Sequence, residues 1–296
     1  MYRILFVFVV VVSPSFGDLS LDPTAIGSLG ESHSFESLSF EGTIDHLNLD
    51  LSDSSSDFYL DLSNGISTDK SVMKLSLISS IVTVDNTPFK DLYPEADRVY
   101  HTSSPTDSFL PDQWQYYNSK GVANKLLGID GEVGFPALLT ARDMDASKWP
   151  ESLFLGVGWD FSIEDIEVSL MPGLDVTFAV NYTNIVDAVG TIVTPAGTFD
   201  VLRLKRVGEE IVSYKDAALA SSIGDVRSQI VEYFWYGREG ILPLQIREEV
   251  ALIAAGGLPS MEQTLVTILN DVDRTNTAVR NYSWAKVKLS DFNQLD

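Results

Sequence analysis

The stretch TIVTPAGTFDVLRLKR, Thr191–Arg206, decides the fold. Two runs rich in apolar and β-branched residues flank a Pro-Ala-Gly corner. Pro195 presets φ for the second position of a tight turn, and Gly197 tolerates the backbone that closes it. Thr191–Val193 and Phe199–Leu204 are then the arms of a hairpin. In the second arm Leu202 and Leu204 share one face, while Arg203 and Lys205 share the other. That alternation predicts one buried face and one wet face. The corner is structural and carries no chemistry of its own.

Strand-like runs of the same kind recur on both sides of the hairpin. They include MKLSLISSIVTV (73–84), SLFLGVGWDFSI (152–163), LDVTFAVNYTNIV (174–186), SQIVEYFWYG (228–237), LPLQIREEVALIA (242–254), QTLVTILNDV (263–272) and SWAKVKLSDF (283–292). β-Branched and aromatic residues dominate them, as a pleated, half-buried surface favours. WQYYNSKGVANKLLGI (114–129) carries Ser119-Lys120-Gly121 as a hairpin turn. Upstream, Leu47, Leu49 and Leu51 alternate with polar residues, and so do Phe58, Leu60 and Leu62. Period two predicts two strands there, joined by the polar loop Ser52–Asp57. Only Tyr214–Gly224 reads as a short helix or ordered loop, with Gly224 as its stop. The expected fold class is all-β, mainly antiparallel: a curled sheet or half-barrel with few short helices.

The N-terminus predicts export. Arg3 precedes an apolar run of nine residues, Ile4–Val12, then Ser13-Pro14, with small residues at Ser15 and Gly17. A membrane span needs roughly 17–25 apolar residues, so this is the layout of a signal peptide cut after Gly17. Residues 18–90 form a Ser/Asp-rich β segment that either extends the main sheet or makes a small one. Residues 91–296 form the main antiparallel domain, entered through the aromatic, Pro-containing connector DNTPFKDLYPEADRVY (85–100). The chain has no cysteine, which removes disulfides, thiolate nucleophiles and thiolate-bound metals. Its 42 acidic residues outnumber 20 basic ones, for a net charge of −22. A field of that sign repels nucleic acid and anionic membranes.

Asp187–Arg206 (DAVGTIVTPAGTFDVLRLKR) and Tyr233–Ile246 (YFWYGREGILPLQI) resemble a pattern of uncharacterised secreted proteins of Gram-negative bacteria. That pattern runs G-T-apolar-x-[TL]-P-[AS]-G-T-[FY], a strand, and Tyr-x-Trp-Tyr before a glycine turn. Thr87–Tyr100 is similar to the usual start of the region, so the likeness covers roughly residues 80–275. It implies a half-barrel akin to carriers of lipids and lipoproteins. Two departures stand out. Gly237-Arg238-Glu239-Gly240 replaces the usual Ser/Ala-Pro-Gly turn, and no sorting segment follows Asp296.

Catalytic chemistry finds little footing. His33, His46 and His101 are not spaced as a motif, and His33 sits in a polar segment where exposure is expected. There is no G-x-S-x-G elbow and no H-E-x-x-H. Four acid pairs are present: Asp143/Asp145, Asp165/Glu167, Glu209/Glu210 and Glu248/Glu249. Adjacent strand residues point to opposite faces, so the last two are poor partners for one cleft. Calcium is the most credible ion, with Asp271, Asp273 and Asn276 in NDVDRTN as candidates and DMDAS (143–147) as a second run. The EF-hand glycine and closing glutamate are missing from both. Val231, Tyr233 and Trp235 share one face of VEYFWY, with Phe234 and Tyr236 on the other, which places that strand inside a core. Trp114 and Tyr116 share a face expected to be more accessible. Asn181 and Asn281 match the glycosylation acceptor pattern, without meaning in a bacterial protein.

These features predict a secreted, non-enzymatic protein, periplasmic or extracellular, that either holds an apolar or lipid-like ligand in a curved sheet or serves as an envelope structural module. A carbohydrate-active protein using aromatic platforms and an acid pair is the first alternative. A calcium-stabilised adhesin-like module is the second. No nucleic-acid partner and no membrane span beyond the leader are expected.

Overall fold

The computed structural model describes residues 20–21, 30–51, 57–105, 112–118, 125–133, 137–142, 150, 152–171, 174–238, 241–253 and 261–274. The leader, the turn at 119–121, the DMDAS acids, Asn276 and Asn281 lie outside those residues. The first half of the chain supplies β1 (Ser32–Glu41), β2 (Phe58–Asp61), β3 (Met73–Val82), β4 (Arg98–Ser103), β5 (Gln113–Asn118), β6 (Lys125–Val133) and β7 (Ala137–Arg142). The second half supplies β8 (Gly158–Met171), β9 (Leu174–Thr194), β10 (Gly197–Tyr214), β11 (Val226–Gly237), β12 (Leu244–Ile253) and β13 (Met261–Asp273). One α-helix, α1 (Ala217–Ile223), joins β10 to β11. Asp216 caps it, accepting from the amides of Ala218 and Leu219 at 2.9 Å each, and Gly224 ends it at φ 72°.

Among the described residues all thirteen strands belong to one open sheet, ordered β2-β9-β10-β11-β12-β13-β1-β3-β4-β5-β6-β7, with β8 also paired to β9. The sheet is all antiparallel except where β2 runs parallel to the end of β9, Phe58–Asp61 against Gly190–Val193. β1 lies between β13 and β3, so the N-terminal and C-terminal strands share the sheet. The hairpin forms as its sequence predicts: Thr194 pairs Gly197 across Pro195-Ala196, and Gly197 takes φ 137°.

The sheet curls. Tyr236 on β11 lies near enough to Tyr117 on β5 to help raise its pKa, although five strands separate them in the sheet order. The face carrying both is therefore concave. On the convex face, Trp235, Ile246 and Ile268 pack under Leu47, Phe58 and Leu62 of the Ser/Asp-rich segment. On the concave face, Leu202, Leu204 and Phe234 pack under Leu21 and Leu153. Burying each such leucine stabilises the fold by about 1.5–3 kcal/mol.

Four expectations are corrected. Arg203 does not face water. It is 3% exposed, because the convex face at this point is roofed by residues 44–51 and 57–62. Leu47–Leu51 is not a strand. Apart from one bridge, Leu47 to Thr68, it lays its leucines on the convex face without a paired edge. His33 is buried inside β1 rather than exposed. Tyr116 is fully buried, stacked on Tyr93 at 4.3 Å beneath the connector.

Candidate functional site

On β9–β12 the concave face carries a polar row between two apolar clusters, that of Leu202, Leu204 and Phe234 and that of Val180, Tyr182 and Ile230. The pairing register alone lines up Asn184, Arg206, Glu232 and Arg247 on four successive strands, β9 to β12. Directly opposed residues share a face, and Arg206 has the same parity as Leu202 and Leu204. The last residue of the hairpin stretch thus points into the curl.

The row is fully bonded. The Arg206 Nε donates to Asn184 Oδ1 at 3.0 Å, and its Nη1 to Glu232 Oε2 at 3.2 Å. The other Glu232 oxygen accepts from Gln245 Nε2 at 2.7 Å. Arg247 grips Glu210 in bidentate fashion, at 3.0 and 2.8 Å, and reaches Glu249 at 3.1 Å. The Tyr182 hydroxyl also donates to Glu210. The Arg206 guanidinium lies 4.8 Å from the Tyr182 ring centre and 4.9 Å from that of Phe234. Gly208 makes this packing possible: a Cβ there would lie 2.8 Å from the Tyr182 ring and 1.9 Å from the Asn181 carbonyl oxygen. Burial alone would lower the Arg247 pKa, but the bonded Glu210 outweighs it and moves it up. Burial, with Glu210 beside it, pushes the Tyr182 phenol well above its ordinary value.

The facing wall comes from β1, β3, β4 and β5. His33 Nε2 lies 3.3 Å from Glu31 Oε1, and its Nδ1 lies 3.4 Å from the Tyr100 hydroxyl. Arg274 Nε donates to the same Glu31 oxygen at 3.1 Å. Ser79 and Thr102 hydroxyls meet at 2.8 Å, and the Tyr117 hydroxyl donates to Gln115 Oε1 at 2.9 Å. Burial raises the Tyr100 and Tyr236 phenols to about 12 and that of Tyr117 higher still. All three residues nevertheless keep accessible surface.

The acid pairs separate as strand parity requires. Glu210 faces the concave side, whereas Glu209 pairs with Arg227 at 3.4 Å. Glu249 reaches Arg247, whereas Glu248 accepts the Ile44 amide at 2.6 Å on the convex side. Glu167 is exposed and paired with Lys215. The calcium candidates Asp271 and Asp273 are exposed near the end of β13. Among the described residues no three His, Asp or Glu side chains are grouped to hold a metal ion. Trp114 stacks on His101 at 3.8 Å on the convex side, and Tyr233 and Trp235 lie in the convex core. Sequence reading missed the Arg206–Glu232–Arg247–Glu210 lattice. Its trace is the parity of those residues with Leu204 and Phe234 on neighbouring strands.

Neither a family model nor a curated protein matches this chain. A solved crystal structure, of a "putative lipoprotein" from Parabacteroides distasonis, is similar over 86% of this chain and 99% of its own, at 9% identity and a TM-score of 0.35.

Proposed function

We propose that this is a non-catalytic binding protein of the bacterial envelope or its surroundings, holding a small organic ligand in the concave face of its sheet. The observation that carries the proposal is the pair of facing walls, β4–β5 against β9–β12. Tyr100, Tyr117 and Tyr236 on them are half-buried and share one face of the sheet. The leader-like run Ile4–Val12, the absence of cysteine and the strongly acidic balance support an exported protein. No helix among the described residues is long and apolar enough to cross a membrane. The acids of the concave face are engaged by arginines, a phenol or an amide, which favours holding over proton transfer.

Native mass spectrometry of the protein purified from its own host tests this. The expected result is a non-covalent adduct that is lost in Gln115→Trp, where an indole fills the space between the walls. A bare chain, with no mass shift on adding the host's small-molecule extract, overturns it.

A further inference from the structure

A second candidate site lies at the edge of the roof, where β1 ends, and does not depend on a ligand in the concave face. A cleft of about 710 Å³ opens there, lined by Glu41, Gly42, His46, Lys70, Ser71 and Glu262. That volume falls within the range of small-molecule sites. We infer that this cleft binds a short zwitterionic peptide, its carboxylate on Lys70 and its ammonium on Glu41 and Glu262.

The floor of the cleft is backbone. Gly42 follows β1 at φ 130°, a conformation that favours glycine. Its amide donates to the Glu262 carbonyl at 3.0 Å, and its own carbonyl accepts from the buried Thr264 hydroxyl at 2.7 Å. A Cβ there would lie 2.9 Å from His46 Cδ2 and 3.4 Å from Lys70 Cε, so both side chains rest on the bare Cα. The bridge between Leu47 and Thr68 brings their two segments together. The Ile44 amide donates to Glu248 at 2.6 Å and ties the turn that carries His46 to the sheet. Asp69 Oδ1 lies 3.2 Å from His46 Nδ1 and orients the ring, with Nε2 left over Gly42.

Charge selects the ligand. Lys70 shares the cleft with two carboxylates, yet its ammonium pairs with neither, nor with any other described residue. Glu41 and Glu262 likewise form no ion pair among the described residues. Elsewhere Arg203, Arg206, Arg227 and Arg247 each hold a carboxylate. Opposite charges held apart in one cleft match a ligand that carries both. A simple anion would meet Glu41 and Glu262 within a chain of net charge −22, and a simple cation would meet Lys70. An acyl chain finds no apolar side chain in the lining and would strip water from charged groups. The Ser71 hydroxyl and His46 Nε2 add hydrogen-bonding partners for peptide groups.

Isothermal titration of the full chain with trialanine at low ionic strength tests this, beside its N-acetyl form, its C-terminal amide and the peptide blocked at both ends. Trialanine is expected to bind, and either block to weaken it by about fivefold, the worth of one partly exposed ion pair. Lys70→Met is expected to erase the preference for a free carboxylate and keep that for a free amine. The double variant Glu41→Gln/Glu262→Gln is expected to do the reverse. Both glutamates are exposed and Lys70 is half-buried, so an unchanged melting temperature is expected of each variant. Equal affinity for the free and the doubly blocked peptide, or no response to any of the four, overturns the proposal. So does a preference for the free termini that survives in both variants.

Discussion

Arg203 shows how far strand alternation reaches and where it stops. Period two assigns it correctly to the face opposite Leu202, but it says nothing of what covers that face. The roof comes from residues more than a hundred positions upstream, and the Leu51 carbonyl accepts from Arg203 Nη1 at 3.1 Å. Asp187 completes the arrangement. It is the extra residue of a bulge between Val186 and Ala188, which turns its carboxylate to the guanidinium in a bidentate pair at 2.8 and 3.1 Å. Removing one partner of such a buried pair leaves the other uncompensated. Arg203→Ala is therefore expected to lower the unfolding free energy by about 3–5 kcal/mol. The double variant Arg203→Met/Asp187→Leu, which leaves no buried charge, should recover most of that loss. Urea unfolding measures both, and a double variant as unstable as the single one would sink the account.

At the scale of elements, the hairpin was legible because its determinants are local. Pro195, Gly197 and two alternating arms specify it without reference to the rest of the chain. β2 was legible only in part. Phe58, Leu60 and Leu62 carry a strand pattern, yet its partner is the far end of β9, in parallel, and no local signal announces that pairing. Leu47–Leu51 carries the same period and makes no strand, since its leucines reach the convex face without a free edge to pair with. The device that admits β2 is Gly190. A Cβ there would lie 2.1 Å from the Phe58 carbonyl oxygen and 2.7 Å from its ring. Gly190→Ala should push β2 off the sheet while β10–β13 stay paired. Hydrogen exchange should then show protection lost at Tyr59–Leu62 and retained across β11. Unchanged protection at those amides would show that β2 does not need the glycine.

The whole molecule is where sequence says least, because curvature brings together residues that no spacing relates. Tyr100, Tyr117 and Tyr236 each look like an ordinary strand aromatic. The β4–β5 pairing sets Tyr100 beside Tyr117, the curl of the sheet brings Tyr236 towards Tyr117, and that proximity has a consequence in alkali. A phenol in the unfolded chain titrates near 10, whereas those of Tyr100 and Tyr236 are raised to about 12 by burial. Between those values the folded chain holds protons that the unfolded chain has lost. The stabilisation is thus complete below pH 10 and declines as pH rises towards 12. Each phenol is expected to take away about 1.4 kcal/mol per pH unit in that window. Tyr117 adds to the effect, since its phenolate would stand opposite that of Tyr236 and press the walls apart. The double variant Tyr100→Phe/Tyr236→Phe should lose stability more slowly over the same window. Urea midpoints measured at intervals through the window decide it: equal slopes for the two proteins would mean that the facing phenols are not enclosed, and that the concave face is open surface.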